Sequence, residues 1–248
     1  MQVRFDAICK RFGEVLAVDA VTAEIAAGSF VALVGSSGSG KSTLLKTVNR
    51  LVLPDSGRVL LDGEDVADEE PHRLRRGIGY VFQDVGLFPH MPVAENIAIG
   101  FRLEGRRADG RVSELLELVG LAPDVASRMP DQLSGGQRQR VGVARALALA
   151  PKLMLMDEPF GALDPVTRDT LGRAYRALHD RLGLTTIMVT HDMTEALLLA
   201  DRVLVMAAGR IVGHGTPAEL LAETAGPEAA ALVEVPRAQA ERLKELGA

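Results

Sequence analysis

The amino-acid sequence predicts an α/β fold with a mixed central sheet, an antiparallel β side sheet and an inserted α-helical subdomain. Four short apolar runs recur between helical patterns, at residues 30–34, 78–82, 153–156 and 186–189. Continuous apolar runs of this length are typical of strands buried on both faces of a largely parallel sheet. Between residues 89 and 150 the pattern becomes mainly helical instead. We therefore expect a strand-rich core that is interrupted by a helical insertion.

The remaining elements follow from the same periodicities. Residues 3–8 begin with alternating apolar and polar side chains, and residues 15–21 are apolar except for one acid; both are candidate strands of an antiparallel edge. Further candidates for antiparallel edges are residues 58–61, 202–207 and 209–213. The helical candidates within the insertion are residues 93–99, 111–119 and 137–149.

The chain is expected to divide into one large domain and a short tail. Residues 1–222 carry all of the strand and motif patterns, and residues 89–150 form the inserted helical subdomain. From residue 224 onward the sequence is rich in Ala and Glu, and residues 237–246 fit a last amphipathic helix. Residues 223–248 are therefore expected to form a short helical C-terminal tail.

Composition excludes several classes of function. The 248 residues include 47% apolar and 25% charged residues, which is enough for one large α/β domain with a helical appendage. There is no apolar run of 18 residues, and the N-terminus lacks the plan of a signal peptide, so we expect a soluble, cytoplasmic chain. The lone Cys9 agrees with a reducing compartment, and its position in a strand pattern favours the core. The net charge of −5 gives no electrostatic footprint for nucleic acid.

The first chemical motif is a phosphate loop. It follows the first apolar run, opens a helical pattern over residues 43–51, and reads Gly35, Ser36, Ser37, Gly38, Ser39, Gly40, Lys41, Ser42 and Thr43. Its glycines let successive backbone N–H groups turn toward phosphate oxygens at a helix N-terminus. In such a loop Lys41 reaches the β- and γ-phosphates of ATP, and Ser42 is a ligand of Mg²⁺. The alternative is a glycine-rich turn without a ligand, which the preceding strand and following helix disfavour.

Two acids end a later strand pattern. Residues 153–156 are apolar, and Asp157 and Glu158 follow them directly, at the edge where open α/β sheets bind ligands. Asp157 is then the candidate that holds Mg²⁺, and Glu158 is the candidate that polarises the attacking water. Acids often end strands for structural reasons alone. The phosphate loop earlier in the chain favours the functional interpretation.

A second anion site lies between these motifs. Leu133, Ser134, Gly135, Gly136 and Gln137 precede a helical pattern, so a small hydroxyl and two glycines expose N–H groups at a helix N-terminus. A chain with two anion sites but only one phosphate loop is expected to act as a dimer.

Residues 133–137, followed by Arg138, Gln139 and Arg140, resemble the signature of ABC-transporter ATPases, and the likeness extends over about residues 1–220. The resemblance implies a P-loop NTPase core of RecA type, with residues 1–222 as the ABC ATPase domain. It implies that two copies pack head to tail. The ATP held by one copy would then be contacted by the signature residues of the other, which are Ser134, Gly135, Gly136 and Gln137.

Further positions are carried over from the resemblance. Phe12 matches the aromatic residue that stacks on adenine, and Gln83 matches the glutamine that senses Mg²⁺ and the attacking water. Asp164 matches the acid that crosses the dimer interface, and His191 matches the histidine that contacts the γ-phosphate. Alone, each has an ordinary structural explanation, such as packing for the aromatic ring. Gly161 stands where many relatives have Ser. The implied catalytic set is Lys41, Gln83, Glu158 and His191, and the implied magnesium set is Ser42, Gln83 and Asp157.

Some segments look like a narrower group, the osmoprotectant importers for glycine betaine, carnitine and choline. These segments are residues 48–51, 74–81, 86–91 and 160–165. Many members of that group carry a pair of CBS domains after the ATPase core, and we expect none within these 248 residues.

The resemblance also implies partners. They are transmembrane permease subunits, a second copy of the chain and, indirectly, a substrate-binding protein, with no nucleic acid. The chain would lie on the inner face of the cell membrane, and its permease surface would include Gln83 and residues 86–95. The alternative is a soluble ABC ATPase that acts in assembly or on nucleic acid. Such proteins usually have two cassettes or a long coiled-coil insertion, and the sequence has neither pattern.

Overall fold

The computed structural model describes residues 1–222 and a few positions beyond them. Those further positions are residues 231, 233, 234, 237, 238, 241 and 242. Apart from these, the expected tail over residues 223–248 and its helix over residues 237–246 lie outside the described residues.

Residues 1–222 contain ten strands. They are β1 (Val3–Phe12), β2 (Val15–Ile25), β3 (Phe30–Val34), β4 (Ser56–Leu61), β5 (Glu64–Asp65), β6 (Ile78–Val81), β7 (Leu153–Asp157), β8 (Thr185–Thr190), β9 (Arg202–Ala207) and β10 (Arg210–Gly215). The α-helices of the same residues are α1 (Lys41–Val48), α2 (Pro71–Arg76), α3 (Val93–Leu103), α4 (Arg111–Leu118), α5 (Gly135–Ala146), α6 (Pro165–Leu182), α7 (Met193–Leu199) and α8 (Pro217–Leu221).

The central sheet has six strands in the order β10-β9-β3-β8-β7-β6. All neighbouring pairs are parallel except β9 and β10, which form an antiparallel hairpin at one edge. The four apolar runs are β3, β6, β7 and β8, which confirms the mixed α/β core. The late hairpin joins this sheet because β9 is apolar on both faces, with Val203 to Met206 all buried.

Alternate residues of the central strands enter two separate hydrophobic cores. In β3, Phe30, Ala32 and Val34 face one core, whereas Val31 and Leu33 face the other. Such a strand must be apolar at every position, which explains why the sequence pattern is continuous rather than alternating. The two cores fix β3 and β7 in place, and the phosphate loop and the paired acids follow directly from their ends.

The side sheet has four strands in the order β2-β1-β4-β5, all antiparallel. It packs against the second core through Val3, Phe5 and Ile8, which are fully buried. Cys9 in β1 is only half-buried, and its Sγ accepts a hydrogen bond from the Ala20 N–H at 3.2 Å. The expected antiparallel side sheet is therefore present.

Helices α3, α4 and α5 lie between β6 and β7, within the range expected for the helical insertion. Their apolar faces meet the first core through Ile97, Leu115 and Val141, all fully buried. Helix α5 begins two residues earlier than its sequence pattern, because Ser134 caps it. Over the described residues, none of the helices is long and apolar enough to cross a membrane.

Candidate nucleotide site

The loop from β3 to α1 lies flat against two other strands. A Cβ at Gly35 would overlap the carbonyl oxygen of Met206, and one at Gly40 would overlap that of Ala17. Gly40 also has φ 100°, a left-handed conformation that side chains disfavour. These two glycines are therefore required by close backbone approach. The tip of the loop is exposed at Ser36, Ser37 and Gly38, and Thr43 lies half-buried in α1.

Lys41 fills the inside of this loop. The side chain is only 4% exposed, and Nζ donates to the carbonyl oxygens of Gly35 at 2.9 Å and Ser36 at 2.8 Å. The hydroxyl of the buried Ser39 is 3.4 Å away. Burial lowers the pKa of Lys41, and the negative charges of Glu158 and Asp157 oppose that shift. The ammonium group is thus held by two carbonyl oxygens within the electrostatic influence of two acids.

Asp157 is the centre of a buried polar cluster at the end of β7. Ser42 Oγ donates to Oδ1 at 2.5 Å, Lys46 Nζ lies 3.0 Å from Oδ2, and Tyr80 OH is 3.4 Å from Oδ2. Burial, followed by the Asp157 charge, raises the pKa of Tyr80, so the phenol remains a proton donor. Ser42 and Lys46 reach the same carboxylate because they lie one helical turn apart on α1.

Sequence reasoning identified Ser42 and Asp157 but missed Lys46 and Tyr80. The spacing of four residues between Ser42 and Lys46 is a signal that would have found the lysine. Tyr80 has no comparable signal, because its relation to Asp157 depends on the pairing of β6 with β7.

Glu158 follows the cluster in an unusual conformation. Its φ is 47°, and its N–H donates to the carbonyl oxygen of Val189 in β8 at 3.0 Å. A left-handed non-glycine residue is uncommon and is often found at functional positions. The carboxylate Oε2 lies 3.1 Å from Nδ1 of His191, which follows β8. The structure therefore brings Glu158 and His191 into hydrogen-bond contact, although the two residues follow different strands.

The oxygen atoms at this site fit Mg²⁺. Ser42 contributes a hydroxyl and Asp157 a carboxylate, and Mg²⁺ prefers such ligands together with phosphate oxygens and water. Gln83, the third residue expected at the metal, is exposed just beyond β6 and makes no side-chain hydrogen bond within residues 1–222. The structure does not bring it to Asp157.

The signature residues form a separate group. Ser134 Oγ accepts from the Gln137 N–H at 3.2 Å, and Gln137 Oε1 accepts from the Ser134 N–H at 3.0 Å, which makes a capping box for α5. Gly135 and Gly136 open the helix opposite Leu163 and Thr167. Across the described part of the chain, no hydrogen bond or ion pair joins residues 133–137 to the phosphate loop. One copy therefore does not bring its two anion sites together.

Two other expected residues have local partners. Phe12 at the end of β1 is 50% exposed, and Lys10 Nζ lies 5.3 Å from its ring centroid. Asp164 caps α6, because Oδ1 accepts from the N–H groups of Val166 at 3.1 Å and Thr167 at 3.0 Å. Hydrogen bonds from Thr167 hold the pKa of Asp164 below its usual range. An Asp directly before Pro165 is a local sequence signal for the start of a helix.

Sequence reasoning also missed Arg168 on α6. Its NH1 lies 3.0 Å from Asp192 Oδ2, and its NH2 donates to the carbonyl oxygen of Leu163 at 3.2 Å. Arg168 thereby ties the loop before Asp164 to the residue that follows His191. An arginine inside a helical pattern carries no sequence signal for this connection.

The fold and this cluster define a P-loop nucleotide-binding protein with a helical insertion between its phosphate loop and its paired acids. The family model described as ABC transporter matches residues 18–161, and the chain belongs to that family. The family resemblance carried by the signature residues is thereby confirmed.

Curated relatives agree on the class but differ in their solutes. The chain is 50% identical over 209 residues to the glycine betaine/carnitine/choline transport ATP-binding protein OpuCA of Bacillus subtilis, covering 83% of this chain and 55% of the relative. It is 48% identical over 226 residues to the glycine betaine uptake system ATP-binding protein YehX of Escherichia coli, covering 90% of this chain and 73% of the relative. It is 49% identical over 230 residues to the sulfate/thiosulfate import ATP-binding protein CysA of Thermosynechococcus vestitus, covering 92% of this chain and 68% of the relative. The chain thus spans about half the length of OpuCA and of the choline transport ATP-binding protein OpuBA of Bacillus subtilis.

A solved structure agrees with the fold. The ATP-binding cassette MJ0796, in a dimeric post-hydrolysis state bound to ADP and Pi, has a TM-score of 0.78 to this chain at 33% identity. The match covers 87% of this chain and 98% of the cassette.

Proposed function

We propose that the chain is the ATP-hydrolysing subunit of an ABC importer, and that it works as a head-to-tail dimer on the inner face of the cell membrane. The observation that carries the proposal is the polar cluster at the end of β7. There Lys41, Ser42 and Asp157 lie together, and Glu158 pairs with His191 beside them. Such a site needs to position phosphate groups and neutralise charge rather than form covalent bonds.

Each residue of the cluster then has a defined task. The phosphate loop and Lys41 bind the β- and γ-phosphates, and Lys41 exchanges its two carbonyl partners for phosphate oxygens. Ser42 and Asp157 would hold Mg²⁺, which would supply positive charge to neutralise the phosphates. Glu158 orients and polarises the attacking water, and its hydrogen bond with His191 keeps the carboxylate near the γ-phosphate.

The second copy completes the site. The signature residues of one subunit make no contact with their own phosphate loop, which supports a role across the dimer interface. Ser134 and Gly136 would meet the γ-phosphate held by the other copy, and Asp164 would lie beside that interface. Phe12 is exposed at the edge of the site and would stack on adenine.

An apolar patch beside Gln83 supports docking to a permease. Phe82 is 44% exposed and Phe88 is 40% exposed, and both belong to the segment that follows β6. Asn96 fixes this segment, because its side chain accepts from the Phe88 N–H at 2.7 Å and donates to the Met91 carbonyl at 2.9 Å. A rigid, partly apolar patch suits a helix of a membrane partner.

For the solute we propose a quaternary-amine osmoprotectant such as glycine betaine, carnitine or choline. The segments at residues 48–51, 74–81, 86–91 and 160–165 support it, as do the names of OpuCA and YehX. Sulfate or thiosulfate is the second candidate, because CysA is almost equally similar.

The test measures uptake of labelled glycine betaine, choline and sulfate at high osmolarity. The source cells carry Glu158→Gln as their only copy, and redundant importers are removed. The matched control is Glu117→Gln, which makes the same change at an exposed site on α4. Loss of betaine or choline uptake with Glu158→Gln alone supports the proposal. Loss of sulfate uptake favours the second candidate, and unchanged uptake of all three solutes overturns both solute proposals while leaving the family assignment in place.

A further inference from the structure

The segment that follows β6 has a strained backbone. Val85 has φ 56°, and Gly86 beside it has φ 58°. A left-handed conformation is ordinary for glycine but is a genuine outlier for a β-branched residue such as valine. Such a conformation persists only where its surroundings hold it. Gln83 lies two residues before Val85 in the same segment.

Arg145 on α5 holds this segment. Its NH1 donates to the Gly86 carbonyl oxygen at 2.7 Å, and its NH2 donates to the Val85 carbonyl oxygen at 2.5 Å. One guanidinium therefore binds two successive carbonyl groups, a geometry that its planar, forked donors allow. Burial lowers the pKa of Arg145, which is consistent with a side chain that is directed into the protein.

The packing of α5 makes the contact close. Gly142 lies about one turn before Arg145, and a Cβ there would meet Val85 Cγ1 at 2.6 Å. Helix α5 thus touches the strained valine directly, through a glycine, and binds its carbonyl group through an arginine. The same helix begins at Gly135, immediately after the Ser134 cap.

We propose that Arg145 is a positioning residue that holds residues 82–87 in their strained conformation and makes the position of Gln83 follow that of α5. If the N-terminal end of α5 shifts against a second copy, the helix and the two hydrogen bonds from Arg145 would then move Gln83 as well. This proposal rests on the proposed function, to which it adds the role that the resemblance implies for Gln83, namely sensing Mg²⁺ and the attacking water beside the permease surface.

Arg140 supplies a matched control. It lies on the same helix, and its NH1 donates to the carbonyl oxygens of Val119 at 3.2 Å and Gly120 at 3.1 Å. It therefore makes the same type of contact with a different loop. Replacing Arg140 therefore shows the general effect of removing from α5 an arginine that binds loop carbonyl groups.

The test uses the full chain with Arg145→Met, Arg145→Lys and Arg140→Met. Amide hydrogen exchange at residues 83–88 reports on the segment, and steady-state ATP hydrolysis reports on the site. For Arg145→Met we expect exchange at residues 83–88 to rise about tenfold and kcat to fall about tenfold, because misplacing a group by a small distance costs such factors. KM for ATP should change by less than about twofold, because no phosphate contact is removed. Arg145→Lys should give values of exchange and kcat between those of the wild type and Arg145→Met. Arg140→Met should leave both the exchange at residues 83–88 and kcat unchanged.

A rescue distinguishes positioning from general stability. Asn tolerates the left-handed conformation far better than Val, so Val85→Asn in the Arg145→Met background should recover about threefold in kcat. Unchanged exchange at residues 83–88 in both Arg145 variants, or equal effects of Arg140→Met, would overturn the proposal. Raised exchange with normal kcat would leave Arg145 as the residue that holds the segment, but would refute the role of Gln83 in the proposed function. If Arg145→Met does not fold, Arg145→Lys with and without Val85→Asn gives the same comparison.

Discussion

Replacing Gly136 by Ala tests whether the signature acts within one subunit or across two. A Cβ at Gly136 would lie 2.8 Å from Thr167 Cγ2, whereas ordinary contact begins at 3.4 Å. The gap must therefore open by about 0.6 Å. Thr167 cannot easily turn away, because its N–H and side chain are both hydrogen-bonded to Asp164. We expect Gly136→Ala to lower the free energy of unfolding by about 1–2 kcal/mol through this contact.

Thr167→Ser removes the methyl group that the new side chain would meet and keeps the hydroxyl. The double variant should therefore recover most of the lost stability in urea unfolding. It should not recover ATP hydrolysis if the Gly136 end of α5 faces the phosphate of a second copy, because the added methyl group still blocks that approach. The assay compares the wild type, both single variants and the double variant. Recovery of hydrolysis together with stability would refute the placement of Gly136 across the dimer.

Three further predictions follow from the geometry. Lys41→Ala should weaken ATP binding by about 10- to 100-fold in calorimetric titration, because charge-assisted hydrogen bonds to phosphate are lost; unchanged affinity would exclude the phosphate-loop role. Gly40→Ala should destabilise the chain by roughly 2 kcal/mol more than Gly38→Ala, because of these two glycines only Gly40 faces a backbone carbonyl group. Equal losses of the free energy of unfolding in urea would contradict this close approach. Burial lowers the pKa of His179 from its ordinary 6.5. The unfolded chain then binds a proton that the folded one resists, so stability falls as pH drops below about 6.5, by up to roughly 1.4 kcal/mol per pH unit. His179→Gln should remove that slope between about pH 6.5 and 5.5, and an unchanged slope would show that His179 does not cause it.

Much of the fold could be predicted from the sequence because the central strands are buried on both faces. That burial makes their sequences continuously apolar, and the phosphate loop and the acids of β7 are tied to the ends of such strands. The placement of the late hairpin was not settled by its sequence. The residues of β10 resemble any antiparallel edge, and only the pairing of β9 with β3 assigns the hairpin to the central sheet.

The site was less predictable where residues act through tertiary contacts. Ser42 and Asp157 could be identified because their motifs are local. Tyr80 and Arg145 could not, because their partners lie 77 and 60 positions away in the chain and no local pattern indicates the contact. Ser134 and Asp164 each stand directly before a helix, and both are residue types that favour helix N-caps, so their capping roles have a local sequence signal.

We propose that two copies of the chain share each ATP. Sedimentation of purified Glu158→Gln with Mg·ATP measures this, with Glu117→Gln and nucleotide-free samples as controls. We expect a stable dimer that holds two ATP molecules and hydrolyses them very slowly, because the water is no longer polarised while every binding contact remains. A monomer that binds ATP, or a variant that turns over ATP at the normal rate, would contradict it.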